Sequence, residues 1–190
     1  MIEGDCRWCP LLPPYVRAVR SVCWVPDGLG GDLVHAFKYD GWHALAVGMA
    51  TRMARLTWPV DVIAERTALV PVPLSPKRER ERGFNQSAML ARQLRVQLSV
   101  DVWHDVLVRE RFNESQTRLT PEERLRNVSG AFRVASDPAR LRGAHLLLVD
   151  DVVTTAATLN ACAAALFAGG ARIISYVTFG RARLPGDAPP

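Results

Sequence analysis

Apolar and polar positions along this chain follow two periods. Short, dense runs of Val, Leu and Ile alternate with longer stretches in which apolar residues recur every three or four positions. The dense runs predict strands over residues 17–24, 68–72, 106–109, 131–134, 145–149 and 173–179. The longer period predicts helices over 33–38, 43–56, 76–82, 86–96 and 155–167, with Met89, Leu90 and Leu94 on one face of 86–96. Thr120-Pro-Glu-Glu reads as another helix start, with Thr120 as N-cap, Pro121 in the first position and Glu123 closing a capping box. Gly83 and Gly169-Gly170 supply stops. Strands alternating with helices predict an α/β domain with a mostly parallel sheet flanked by helices. It is expected over 17–183, after a Cys-bearing segment 1–16 and before a frayed Pro/Gly tail 184–190.

The apolar run at 145–149 opens the most informative stretch, Leu146-Leu-Leu-Val-Asp-Asp-Val-Val-Thr-Thr-Ala-Ala-Thr158. Asp150 and Asp151 fall where that strand is expected to end, Thr154 and Thr155 form a hydroxyl-rich turn, and Thr158 lies at a helix start. Ligands of open α/β sheets collect at the carboxyl ends of strands. The first N–H groups of a helix lack partners and carry partial positive charge, so they attract phosphate. Carboxylates accept hydrogen bonds from sugar hydroxyls or bind a divalent cation. The pattern therefore suits one small molecule bearing a diol and a phosphate. The plainer alternative is an ordinary connection with Thr154 as N-cap and both acids in water. It accounts for one Asp and one Thr, but not for the whole combination.

This segment resembles the phosphoribosyl pyrophosphate (PRPP) signature of type I phosphoribosyltransferases: four apolar residues, two acids, two apolar, two hydroxyls, Gly, any residue, hydroxyl. It departs once, with Ala156 where the pattern has the residue best suited to a positive φ. The resemblance implies ribose contacts for Asp150 and Asp151, which would be the catalytic pair. It implies 5′-phosphate contacts for Thr154, Thr155 and Thr158 and for the amides around Ala156 and Ala157.

Two further blocks narrow the family. Leu69-Val-Pro-Val-Pro-Leu-Ser-Pro-Lys-Arg-Glu-Arg-Glu-Arg-Gly-Phe-Asn-Gln-Ser87 and Gln116-Thr-Arg-Leu-Thr-Pro-Glu-Glu-Arg-Leu-Arg-Asn-Val-Ser-Gly-Ala-Phe132 are similar to stretches of the ComF/GntX proteins. That resemblance implies a PRPP-binding protein transferring a phosphoribosyl group to an unidentified acceptor, with Mg2+ arriving on PRPP. If 68–72 neighbours 145–149 in parallel, Lys77 and Arg78 reach the same sheet edge as Asp150, where cations neutralise a pyrophosphate. A solvated helix with internal Glu–Arg pairs is the alternative for 76–82. Type I enzymes carry a mobile loop where this chain has Arg111, Gln116 and Arg118. An N-terminal hood, here residues 28–58 with Lys38, Tyr39 and Trp42, would face the acceptor, although its aromatic residues also read as core.

Charge adds a rival. The net charge is +5, and residues 71–133 hold 12 Lys/Arg against 8 Asp/Glu. That bias fits phosphate ligands or nucleic acid. The ComF name attaches to DNA uptake, so a competence accessory factor binding single-stranded DNA, with the PRPP site a sensor or vestige, is the alternative function. The absence of aromatic residues from 77–82, with only Phe84 nearby, argues against a stacking groove. Cys6-Arg-Trp-Cys9 gives two of the four ligands a structural zinc needs, so zinc is not expected unless two chains share it. Four cysteines and an acidic start without an apolar signal region fit the cytoplasm. The uncharged run 152–171 is broken by Thr, Asn and Gly and reads as a core helix rather than a membrane insertion. A homodimer stays open.

Overall fold

The computed structural model describes residues 12–25, 28–110, 130–135 and 137–183. In chain order the elements are β1 (Val16–Val25), α1 (Gly28–Tyr39), α2 (Leu45–Ala54), α3 (Val60–Glu65), β2 (Arg66–Pro71), α4 (Pro76–Arg82), α5 (Gln86–Leu98), β3 (Asp101–Val102), β4 (Leu107–Arg109), β5 (Phe132–Val134), α6 (Pro138–Leu141), β6 (His145–Val153), α7 (Ala157–Ala168) and β7 (Ile173–Ala182). Five strands form one parallel sheet in the order β1-β7-β6-β2-β3. The expected fold class is the observed one, and β6 and β2 are parallel neighbours as the placement of residues 77–78 required.

The centre of the sheet follows from one strand. Side chains alternate across a strand, so β6 must be apolar at every position if both faces are covered. Leu146 and Leu148 join a cluster with Leu159, Cys162, Ala163 and Leu166 of α7. Leu147 and Val149 join the opposite cluster, with Phe37 of α1, Met49 and Met53 of α2, and Leu90 and Leu94 of α5. All four β6 residues are essentially inaccessible. Each contributes about 1.5–3 kcal/mol relative to exposure. The frame beneath the acid pair is therefore rigid.

Six elements depart from the sequence reading. The runs at 106–109 and 131–134 form strands, but they pair antiparallel as the separate ribbon β4-β5 instead of entering the main sheet. β6 runs four residues past its expected end, because β7 continues to pair with it as far as Val153↔Arg181. The short elements α3, β3 and α6 are too brief to show a period and went unread. The Thr120 capping box, the Cys6/Cys9 segment and the tail 184–190 lie outside the described residues. The uncharged run 152–171 becomes the end of β6, a bend and α7, and among the described residues no helix is long and apolar enough to cross a membrane.

Gly180 shows how closely the strand ends pack. A Cβ there would lie 2.8 Å from Val25 Cγ1 and 3.1 Å from Val152 Cγ2. β-branched neighbours have little rotamer freedom to give way. Gly180→Ala is expected to destabilise the fold by about 1–3 kcal/mol, read as a lower midpoint in urea unfolding at unchanged slope.

Candidate functional site

β2 and β6 part company at the carboxyl end of the sheet. Their last register pair is Pro71↔Val149, after which the Val72 amide donates to the Val149 carbonyl at 3.0 Å. β2 then leaves toward α4 while β6 continues beside β7, with Asp150 opposite Thr178. The two aspartates thus stand inside β6, not at its end, on a strand whose neighbour on one side has gone.

Asn85 fixes what fills that side. Its Oδ1 caps α5 by accepting from the Ala88 amide at 3.1 Å, and its Nδ2 donates to the Val72 carbonyl at 3.1 Å. The start of α5 is thereby tied to the exit of β2. Two residues on, the Ser87 hydroxyl donates to Asp150 Oδ1 at 2.8 Å. That oxygen also accepts the Asp151 amide at 2.9 Å. Asp151, 6% exposed, pairs instead with Lys38 at the end of α1, with Nζ 3.0 Å from Oδ2.

Burial, and next the charge of Asp151, push the Asp150 carboxyl up to about 7, against the pull of Ser87, the Asp151 amide and Lys38. The sequence marked both acids but gave no sign of Ser87, because a serine one residue inside a helix start carries no motif of its own.

Beyond β6 the chain bends through residues 154–156 and enters α7. Ala156 is the N-cap, at φ 58° and ψ 6°, with no side-chain cap. Ala therefore adopts the left-handed conformation that the family pattern assigns to Gly, at a cost of roughly 1 kcal/mol. Its methyl is buried in the same cluster as Leu159. Thr154 is not the cap, contrary to the plainer reading; Thr154 and Thr155 are exposed and Thr158 sits half-buried in the first turn. The first i→i−4 bond of α7 is Asn160 amide to Ala156 carbonyl, 2.8 Å. The amides before it have no i−4 partner within the helix, and that of Ala157 donates to Thr155 Oγ1 at 3.5 Å.

A cleft of about 570 Å³ is lined by Lys38, the ion-pair partner of Asp151. One wall is the α1–α2 connection with Lys38, Tyr39, Gly41 and His43; the other is α4 and its exit, with Arg78, Glu81, Arg82 and Phe84. Ser75 caps α4 and Gly83 ends it in the left-handed region at φ 75°. Arg78 thus lines the cleft, whereas Lys77 is exposed on α4 and does not line it. Tyr39 and Trp42 are 60% and 62% exposed, so they are not core; Trp58, at 7%, is. Arg82 donates to the Tyr39 hydroxyl at 3.0 Å with its guanidinium 4.9 Å from the ring centre. Arg109, at the end of β4, lies over Phe132; burial first, and then the charge of Arg78, lower its proton affinity. It stands at the start of the stretch read as the loop, two residues before the first loop candidate. Arg111, Gln116 and Arg118 lie outside the described residues. Among the described residues no group of three or more His, Cys, Asp or Glu side chains could hold a metal ion.

Asp150 makes stability depend on pH with a definite sign. Below about pH 4 its carboxyl is protonated in both folded and unfolded chains and costs folding nothing. As pH rises from about 4 to about 7 the unfolded chain ionises first, so stability is lost across that window. Asp150→Asn is expected to stabilise the protein at pH 8 relative to its effect at pH 4, by roughly 2–4 kcal/mol, in paired urea titrations. An equal effect at both pH values would show that Asp150 is not a strained acid.

Comparison with known proteins agrees with this geometry. The phosphoribosyl transferase domain family matches residues 81–187. The DNA utilization protein YhgH of Escherichia coli (strain K12) is 31% identical over 178 residues, covering 90% of this chain and 74% of that protein. Competence protein F of Haemophilus influenzae is 33% identical over 115 residues, 57% of this chain and 50% of its own length. Among solved structures, the glutamine PRPP amidotransferase from B. subtilis superposes with a TM-score of 0.46 at 14% identity, over 70% of this chain and 26% of that one. By its family match, and by its identity with relatives along most of its length, the chain belongs to the phosphoribosyl transferase family and is a ComF-type member of it.

Proposed function

We propose that this protein binds PRPP at the β6–α7 junction and transfers its phosphoribosyl group to an acceptor held in the adjoining cleft. The observation that carries the reading is the acid pair. Two neighbouring carboxylates in the second half of a buried strand are held by Ser87 and Lys38, a few residues before a left-handed bend into a helix start. Asp150 and Asp151 accept the ribose hydroxyls. Thr154, Thr155 and Thr158 and the amides at Ala156 and Ala157 take the 5′-phosphate, where helix dipole and hydroxyls favour an anion. The pyrophosphate lies toward Arg78 in the cleft, with Lys77 on the same helix and Arg111, Gln116 and Arg118 in the loop beyond β4.

The reaction such a cradle suits is displacement at the anomeric carbon. The bond from C1 to the diphosphate oxygen breaks and its electron pair leaves with the diphosphate; the acceptor lone pair forms the new bond to C1. The protein's part is positioning and electrostatic stabilisation rather than a covalent nucleophile. Mg2+ would arrive on the diphosphate, held by its oxygens rather than by a dedicated set of protein ligands, and would supply charge neutralisation to the leaving group. The setting that fits this chemistry is the cytoplasm.

One observation supports the second reading, single-stranded DNA binding. The basic helix α4 lacks aromatics in sequence, but exposed Tyr39 lies against it across the cleft, with exposed Trp42 three residues further on. Base stacking beside cations is the chemistry of strand binding, and relatives of this chain are named for competence and DNA utilization.

Calorimetry with PRPP and Mg2+ separates these readings. Saturable binding is expected for the intact protein and none for Asp150→Asn/Asp151→Asn. Arg78→Ala is expected to weaken binding about tenfold with the melting temperature unchanged. Parallel loss of affinity and stability would return α4 to a structural role. If strand binding is instead the function, DNA affinity falls with salt at a slope of about −0.7 per phosphate contact, and PRPP binding is absent or unaffected by the acid variants.

A further inference from the structure

Lys38 stands where the acid pair and the cleft meet. It ends α1, where a lysine gains from the helix dipole and normally reaches into water. Here it turns inward. Its side chain is 19% exposed, and its ammonium sits 3.0 Å from Asp151 Oδ2, whose side chain is 9% exposed. The same lysine lines the cleft beside Arg78. Tyr39, the next residue, turns to the opposite wall and accepts the hydrogen bond of Arg82. Two successive residues thus tie the end of α1 to β6 and to α4.

The two acids are supported differently. Asp150 has neutral donors, the Ser87 hydroxyl and the Asp151 amide. Asp151 has the cation. A covered carboxylate that must present an oxygen to a sugar diol needs one oxygen fixed and its charge balanced, or it turns away or takes up a proton. Lys38 meets both needs through Oδ2 and leaves the other oxygen of Asp151 for the ligand. An ammonium is a compact point charge with three donors, so it can hold Asp151 and still face an anion in the cleft.

We propose that Lys38 is a positioning residue of the PRPP site: its ion pair holds the Asp151 carboxylate oriented toward the ribose diol and couples that acid to the charge that occupies the cleft. This rests on the PRPP reading above. The residue comes from the segment read as an acceptor-facing hood, so one side chain links the acceptor side of the site to the sugar side.

A pH profile reads this role in a way a merely structural contact does not. The groups facing Asp150 are Asp151 on β6, Ser87 on α5, Lys38 on α1 and Cys162 on α7, with Arg109 of β4 beside Cys162. Lys38 lowers the proton affinity of Asp150, so removing it moves proton uptake by the pair to higher pH.

The experiment is calorimetry of Mg2+–PRPP binding to the full chain between about pH 6 and pH 9, for wild type, Lys38→Met and Lys38→Arg. Lys38→Met is expected to bind about tenfold more weakly near neutrality, with the acid limb of its profile moved up by roughly half to one pH. Lys38→Arg, which keeps the charge, is expected to stay within about threefold of wild type with the limb in place. If wild type binds and Lys38→Met matches it in affinity and limb, the inference alone falls. It also falls if Lys38→Arg is as weak as Lys38→Met, or if Lys38→Met unfolds while Lys38→Arg is native, which would make the pair a fold-holding contact. A wild type that does not bind PRPP overturns the underlying reading and this inference with it.

Discussion

Two adjacent carboxylates withdrawn from water at the end of a buried strand are the constraint around which this molecule is arranged. Neighbouring like charges with little solvent are unstable without donors and a counter-charge. The chain supplies them from three places far apart in sequence: a hydroxyl from α5, an amide from β6 itself and an ammonium from α1. None of the three alone would hold the pair, and each depends on its element being docked in one orientation. The caps at Ser75 and Asn85, and the tie from Asn85 to Val72, set those orientations.

The sheet makes this possible by being unequal. β2 stops pairing with β6 at Val149 while β7 carries on to Val153. The difference opens a gap on one side of the acids, and the gap is where α5, α1 and the cleft converge. Beneath it, Leu146 to Val149 are packed on both faces, so the acids cannot sink or rotate with the strand. Ahead of it, Ala156 holds a left-handed turn that most non-glycine residues avoid, and α7 starts there. Strain at one residue and a raised proton affinity at another thus lie within one short stretch of chain, the pattern common at functional sites.

The cleft is built from contacts that also hold the fold. Phe37 and the methionines of α2 belong to the core, yet the end of α1 carries exposed Tyr39 against α4, and exposed Trp42 follows in the turn. Aromatic and cationic groups alternate across it, with Arg82 on Tyr39 and His43 against Phe84. Such a surface has the chemistry to suit planar and anionic groups together, so the PRPP reading and the strand-binding reading share residues and are separated only by the acid pair.

Local pattern alone determined a good part of this. Periodicity placed six strands and five helices, because buried strands must be apolar throughout and amphipathic helices must repeat. The motif at 146–158 located both acids, the turn and the helix start within a residue or two, since that chemistry is contiguous in the chain. What sequence could not carry was anything made by distance. β4 and β5 read as ordinary strands, and only their packing set them apart as a ribbon. The extra turns of ladder in β6 came from its partner β7, not from its own residues. Tyr39 and Trp42 have the composition of core and the position of surface. Ser87 and Lys38 became part of the site because α5 and α1 end beside residues 150 and 151, more than sixty positions away. A carboxylate's chemistry is written where it stands in the chain; the charge and the hydroxyl that make it usable arrive through space.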